Sequence, residues 1–280
     1  SAGWNVHQEK WFQNPVMSKL KIRASYGELG ANFLNPYNFD AIAYGPIPYT
    51  VGGERYVTGR AAYLKSKDLK WETAKTTDIG IELGFFNNDL TLSLDYFVKK
   101  NVDLLAQIDL NLSSGQIFEI NSSREKPYVN TASVKNTGWE FMMNYRKQLT
   151  KDFHIDATFN IATLKNKVLS LGENVQPITS GAMSSYFNDA ASITMPGEAI
   201  GSFYGYKIDG FDAEGNFIFA DTDKNGVVNA NDKVILGSPI PDFTYGLNIN
   251  MEYKDFDLTV FFQGVQGNDI FNQKKYTYYF

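Results

Sequence analysis

Hydrophobic and polar residues alternate along several segments of the chain, most clearly between Asp78 and Val98. The apolar positions are Ile79, Ile81, Leu83 and Phe85, then Leu90, Leu92, Leu94, Tyr96 and Val98. Because successive side chains of a strand point to opposite faces, each half has one apolar and one largely polar face. Asn87, Asn88 and Asp89 suit the connection between the halves, since Asn and Asp tolerate turn conformations. The segment therefore predicts an antiparallel hairpin.

The same alternation recurs in further segments, which begin at Leu20, Trp139, Phe153, Phe243 and Phe256. Short turns at 148–152 and 254–255 join neighbouring segments, whereas residues 27–68, 99–128 and 166–241 are predicted to be long loops. Outer-membrane barrels have short periplasmic turns and longer extracellular loops. The pattern therefore favours an all-β fold: an antiparallel transmembrane β-barrel segment with long extracellular loops and short periplasmic turns.

Aromatic residues are concentrated on the apolar faces beside the short turns. They are Phe85, Tyr145, Phe153, Tyr253 and Phe256, with a second row at Tyr96, Trp139, Phe159 and Phe262. Membrane barrels carry aromatic girdles at both interfaces, which favours a lipid-facing surface. Cross-strand aromatic pairing in a soluble sheet is the alternative interpretation.

Composition narrows the function classes. The 280 residues include 17 Tyr, 21 Phe and 4 Trp, a content typical of strands and of outer-membrane barrels. The net charge of −5 gives no indication of nucleic-acid binding, and the lack of cysteine excludes disulfides and zinc–thiolate sites. No apolar run approaches the ~20 residues that a transmembrane helix needs.

Several short motifs occur in order along nearly the whole chain. They lie at 20–27, 69–73, 78–81, 103–105, 136–140, 196–201, 204–206, 241–246 and 256–258. In sequence, order and spacing they resemble the SusC-like TonB-dependent transporters of the Gram-negative outer membrane. The resemblance implies a roughly 22-stranded barrel that imports oligosaccharides or peptides through the outer membrane.

The resemblance also implies a domain assignment and a set of partners. Residues 1–280 would be part of the later half of the barrel domain, without the plug domain, the TonB box and the final strands, and 166–241 would be a long extracellular excursion. The implied partners are a SusD-like surface lipoprotein, the TonB complex acting through a plug domain, the glycan or peptide substrate, and outer-membrane lipid.

One loop has the residue spacing of a calcium site. Asp221, Asp223, Asn225, Val227, Asn229 and Asp232 fall at the ligand positions of an EF-hand loop, with Gly226 at the sharp turn. Asp232 stands where an EF-hand has the longer Glu, so the loop would have to close more tightly around the ion. Oxygen ligands of this kind suit calcium. A turn rich in Asp, Asn and Gly that needs no metal is the alternative.

Aromatic residues of the predicted loops are candidates for substrate binding: Tyr37, Tyr44, Tyr49, Tyr186, Phe187, Tyr204 and Tyr206. Their flat rings can stack on sugar faces while neighbouring polar groups bind hydroxyls. Packing within the loops is the alternative role of each ring.

Two other function classes are consistent with parts of the pattern. A soluble, secreted, calcium-stabilised β module that binds glycans would bury Ile81, Leu92, Phe141 and Leu247 between two sheets. A glycoside hydrolase would use a close carboxylate pair chosen from Glu82, Asp95, Glu140 and Asp156. Since any polar barrel lining contains such carboxylates, we expect no enzymatic activity.

Overall fold

The structure, a computed structural model, describes residues 1–33, 43–61, 69–107, 128–172, 175–182 and 190–274. These residues form antiparallel strands, with short 3-10 helices at Val6–Gln8 and Ala230–Asp232. The strands are β1 (Ala2–Asn5), β2 (Met17–Ala31), β3 (Ala43–Val51), β4 (Glu54–Ala61), β5 (Glu72–Phe85), β6 (Leu90–Gln107), β7 (Tyr128–Thr150), β8 (Phe153–Thr163), β9 (Lys165–Ser170), β10 (Ile178–Ala182), β11 (Ala190–Thr194), β12 (Ser202–Tyr206), β13 (Ile208–Phe211), β14 (Phe217–Phe219), β15 (Lys233–Gly237), β16 (Phe243–Tyr253) and β17 (Phe256–Gln266). No helix among the described residues is long and apolar enough to cross a membrane.

The main sheet has the strand order β1-β2-β5-β6-β7-β8-β16-β17, and neighbouring strands are antiparallel. Strand β9 follows β8 after Leu164 and continues its pairing with β7 in the same register. The predicted hairpin is β5–β6, in which Ile81 pairs with Leu94. Asn87 and Asn88 adopt positive φ angles of 57° and 69° in its turn. Asn tolerates this left-handed conformation, which explains the tight connection.

Within the part of the chain that the structure describes, no second sheet covers the apolar face of the main sheet. Ile81, Leu92, Phe141 and Leu247, the residues that a soluble sandwich would bury, are all partly exposed. Among the described residues, the buried hydrophobic side chains are Val6, Val134, Val168, Leu171 and Ile193. A water-soluble domain of this size would bury a far larger apolar core. The apolar face therefore needs a non-aqueous environment outside the chain.

The long excursion after β8 folds into its own small strands. Strands β10, β11, β12 and β15 form one sheet, and β13 pairs with β14. At its base, Val168 and Leu171 pack with Val134 of β7 in a buried cluster. Val134 lies an even number of residues from Glu140 and Asn144 on β7, so its side chain is on the same, polar face of the strand. The cluster therefore covers the polar face of the main sheet. The excursion is thereby attached to the polar face of the main sheet.

The strands extend beyond the segments that alternation predicts. Strand β2 continues to Ala31, β6 continues to Gln107, and β3 and β4 form a hairpin within the stretch predicted to be a loop. The prediction of a single loop over residues 27–68 is therefore wrong. In these extensions the strands keep their backbone hydrogen bonds, but both of their faces can be polar. Alternation of apolar and polar residues therefore no longer predicts the strand.

Candidate functional site

The polar face of the main sheet carries an ordered group of charges near the short-turn end. Lys19 and Lys21 of β2 place Nζ 2.7 and 3.5 Å from the carboxylate of Glu82 on β5. Arg23 Nη2 lies 2.5 Å from Oδ2 of Asp95 on β6, and the Asp95 side chain is only 10% exposed. These pairs join three neighbouring strands through their side chains, in addition to the backbone ladder.

Ser93 completes this group. Its hydroxyl donates to Asp95 Oδ2 at 3.0 Å and accepts from Arg23 Nη2 at 3.4 Å. The basic residues of β2 were not among the residues selected from the sequence. Lys19, Lys21 and Arg23 occupy every second position of a predicted strand and must therefore share its polar face. This spacing is enough to predict a group of positive charges on that face.

The other carboxylates predicted to face inward are also on this wall. Asp156 accepts a hydrogen bond from Arg146 Nε at 2.8 Å, and its Oδ2 lies 2.6 Å from Arg146 Nη2. Glu140 is exposed and sits directly across from Asp95 in the β6–β7 register. Asp95 forms an ion pair with Arg23, which holds its carboxylate in the side-chain network of β2, β5 and β6.

The loop with calcium-site spacing lies between β14 and β15, and its oxygen atoms converge. One carboxylate oxygen from each of Asp221, Asp223 and Asp232 lies within 4.8 Å of the other two. Asp221 Oδ2 accepts from the Gly226 backbone N–H at 2.7 Å, and Gly226 has a φ of 87°. The glycine is therefore needed for the sharp turn that brings the acidic residues together.

Asp232 closes this loop from a fully buried position. Its carboxylate accepts backbone hydrogen bonds from Asn229 at 2.8 Å, Thr222 at 2.7 Å and Asp223 at 3.3 Å. These bonds, the Asn229 bond foremost, hold the pKa of Asp232 below its usual range. Asp232 therefore stays ionised next to two further carboxylates, and their oxygen atoms are of the kind that a divalent cation would need.

Other predicted ligands of the loop have oxygen atoms that accept hydrogen bonds from within the loop. Asn225 Oδ1 accepts from Val227 N–H at 2.8 Å, and Val227 carbonyl oxygen accepts from Asn229 Nδ2 at 3.0 Å. The described loop thus holds its shape through its own amides. Carbonyl and carboxylate oxygens can accept a second partner, which leaves them available to an ion.

The predicted aromatic residues fall in different parts of the chain. Tyr37, Tyr186 and Phe187 lie outside the described residues, and Tyr44 and Tyr49 belong to β3. Tyr204 and Tyr206 are two residues apart on β12 and therefore share one face of that strand.

Tyr206 has defined neighbours within the excursion. Its ring centroid lies 5.6 Å from that of Phe219, and Lys233 Nζ lies 5.2 Å from the same centroid. These contacts fix the ring at the junction of β12 with the β13–β14 hairpin. Tyr206 is partly exposed, so the ring can contribute both to packing and to a binding surface.

Comparisons with known proteins agree with this architecture. The family model described as "TonB dependent receptor-like, beta-barrel" matches residues 10–279. The chain belongs to this family. TonB-dependent receptor P3 of Formosa agariphila is 34% identical over 97% of the chain. TonB-dependent receptor SusC of Bacteroides thetaiotaomicron is 30% identical over 92% of the chain. The chain spans only 28% and 26% of the lengths of these two TonB-dependent receptors.

Solved structures give the same fold for this TonB-dependent receptor segment. The RagAB peptide importer in its "open-open" state matches with a TM-score of 0.75 and 21% identity, over 95% of this chain and 28% of that chain. The RagAB peptide transporter matches with a TM-score of 0.70. The predicted resemblance to SusC-like transporters and the predicted antiparallel β-barrel segment are confirmed.

Proposed function

We propose that this chain supplies part of the barrel wall and extracellular loops of a TonB-dependent importer in a Gram-negative outer membrane. The uncovered apolar face of the main sheet is the observation that carries the proposal, since that face requires lipid. The opposite face carries paired charges and forms the wall of the transport path. In this assignment the chain is a transporter segment and performs no enzymatic step.

Two partners follow from the same assignment. A SusD-like surface lipoprotein would cover the extracellular side, and the TonB complex would supply energy through a plug domain outside these 280 residues. The relationship to SusC, at 30% identity over 92% of the chain, supports both partners. The match to RagAB, at 21% identity, supports the shared barrel fold that such partners require.

The substrate that we propose is an oligosaccharide, with a peptide as the second candidate. Aromatic residues on the extracellular excursion, including Tyr204 and Tyr206, are suited to stacking on sugar rings. This feature favours a hydroxyl-rich molecule.

A gene deletion complemented with the full-length transporter tests this function. The complemented cells should accumulate the substrate and grow on one class of oligosaccharide as sole carbon source, and the deletion strain should not. The protein should also fractionate with the outer membrane and require detergent for purification. Growth restored only on peptides would transfer the assignment to the second candidate, and recovery in the soluble fraction would contradict the membrane assignment.

We also propose that the loop from Asp221 to Asp232 binds calcium and thereby stabilises the excursion. The three converging carboxylates repel one another unless a cation lies between them. Carboxylate, amide and carbonyl oxygens at this spacing suit calcium better than the softer transition metals. Calcium is plentiful outside the cell, where binding sites of about 10⁻⁴–10⁻³ M affinity are adequate.

Calorimetric titration of the full-length transporter with calcium tests whether this loop binds the ion. We expect calcium to bind and to raise the unfolding temperature, whereas Asp221→Asn with Asp223→Asn should abolish both effects. Asp255→Asn, in a short turn at the other end of the sheet, is the matched control. Equal calcium binding by the wild type and the double variant would contradict the proposal.

A further inference from the structure

A row of lysine residues crosses the main sheet at its long-loop end. In the strand register, Lys75 of β5 pairs with Lys100 of β6, Lys100 pairs with Lys135 of β7, and Lys135 pairs with Lys167 of β9. Directly paired residues of antiparallel strands point to the same side of a sheet. These four residues, called the lysine row below, therefore form one continuous band of positive charge.

The lysine row lies on the lipid-facing side of the sheet. On β6, every second residue from Leu90 to Val98 is on the same face as Lys100 and is uncharged. Lys100 is the first charged residue on that face. On β5 and β7, the same-parity positions are likewise uncharged from the aromatic residue beside the short turn up to Lys75 and Lys135. Strands β5, β6 and β7 thus change from uncharged to cationic at paired positions.

The depth of this change matches the edge of the membrane. Ten residues separate Leu90, beside the short turn, from Lys100. At ~3.3 Å per residue and ~40° tilt, they span about 25 Å along the membrane normal, the height of the apolar band of such barrels. The lysine row therefore lies where the hydrocarbon of the outer leaflet meets its headgroups.

Among the residues that the structure describes, ion pairs compensate only one member of the lysine row. Lys75 Nζ lies 3.2 Å from Glu28 Oε1 on β2. The ion pairs of the described residues include no contact to Lys100, Lys135 or Lys167. Like charges directly opposite each other destabilise a sheet, so anions that bind along the row would stabilise it.

We propose that the lysine row binds the phosphate groups of an anionic lipid in the outer leaflet. Four strands at ~4.8 Å spacing make the row about 14 Å wide, which allows one headgroup with two phosphates to contact several ammonium groups. The acyl chains would lie on the apolar surface below, next to Val98, Tyr96 and Trp139. Lysine is a compact point charge that suits phosphate. The proposal rests on the membrane location given under the proposed function, and not on the transported substrate.

Native mass spectrometry of the full-length transporter in detergent tests the proposal, with bisphosphorylated lipid A as the probe. Replacing Lys100, Lys135 and Lys167 by Gln should weaken lipid A binding on the order of 100-fold, at about 5-fold for each lysine. Replacing the same residues by Arg should preserve binding. If the triple variant does not fold, Lys135→Gln alone should still produce the single-site loss.

A matched triple variant, Lys10→Gln, Lys99→Gln and Lys151→Gln, removes the same charge away from the row. Lys99 neighbours Lys100 on β6 but has the opposite parity. This control should bind lipid A like the wild type, and the same glycolipid without phosphates should bind weakly. Displacement of lipid A by equimolar inorganic phosphate would assign the row to free anions and overturn the lipid site.

Equal lipid A binding by the row variant and the wild type would also overturn the proposal. Outer-membrane fractionation separates this result from a failure of the proposed function. A transporter that fractionates with the outer membrane while both lysine variants bind equally would contradict the lipid site alone. A protein absent from the outer membrane would instead contradict the location.

Discussion

Arg23 and Asp95 form an ion pair across an intervening strand, with Arg23 Nη2 2.5 Å from Asp95 Oδ2. Gly80 of β5 lies between them, paired with Arg23 on one side and with Asp95 on the other. A Cβ atom at Gly80 would overlap Asp95 Oδ1 and would lie 2.8 Å from Arg23 Nε. The glycine therefore provides the space in which two side chains meet over the backbone of β5.

Gly80→Ala should separate this ion pair. The displaced Asp95 carboxylate is largely buried and would lose its charged partner, which should lower the free energy of unfolding by about 1–3 kcal/mol. Guanidinium titration of the full-length protein in detergent measures the change. Gly27→Ala on β2 is the control, because nothing lies within 4 Å of its added Cβ. An equal loss in both variants would show that Gly80 matters only as a flexible residue.

A double-mutant cycle with Arg23→Gln and Asp95→Asn should give a coupling free energy of about 0.5–3 kcal/mol. The same cycle at Arg146 and Asp156 should give at most about 1 kcal/mol, since the Arg146 side chain is 72% exposed. Both cycles use the unfolding measurement described above. A weaker coupling for Arg23 and Asp95 than for Arg146 and Asp156 would contradict the structural role of the pair across Gly80.

Arginine at Ile249 should be far more damaging than arginine at the adjacent Asn248. Ile249 lies near the middle of the lipid-facing side of β16, where an arginine costs about 2–4 kcal/mol. Asn248 has the opposite parity and lines the polar face, which tolerates charge. Unfolding in lipid bilayers and the yield of outer-membrane protein check the difference. Comparable losses at the two positions would contradict the assignment of the faces.

The β13–β14 turn should lose protection in acid. Asp212 accepts hydrogen bonds from the Asn216 side chain at 2.9 Å and the Asn216 backbone at 2.7 Å, and these contacts hold the pKa of Asp212 below its usual range. A lowered folded pKa means that the carboxylate stabilises the turn above the ordinary Asp range. This stabilisation is lost as the pH falls through the lowered pKa.

Hydrogen exchange of the amides of Glu214 and Asn216 measures this effect, after correction for intrinsic exchange rates. The wild type should show a fall in protection at low pH, and Asp212→Asn should show none. A constant wild-type protection through the carboxylate range would mean that Asp212 does not hold the turn. Asp255→Asn, in a different turn, serves as the control.

The alternating pattern was sufficient to predict several main features. It located the β5–β6 hairpin, the turn at Asn87 and Asn88, and the apolar set that includes Ile81 and Leu247. These features are local, because strand periodicity and turn conformation depend on neighbouring residues. The predicted calcium ligands Asp221 and Asp232 are also a local spacing, and calcium binding there stays a prediction.

Tertiary structure decided what depends on strand pairing. The sequence places Lys75, Lys100, Lys135 and Lys167 far apart, and only the register aligns them in one row. In the same way, nothing in the sequence around Gly80 indicates that an ion pair crosses the backbone there. A shift of one residue between strands would turn the side chains to the other face. Periodicity thus determined which residues share a face of one strand, and pairing between strands determined which of them meet.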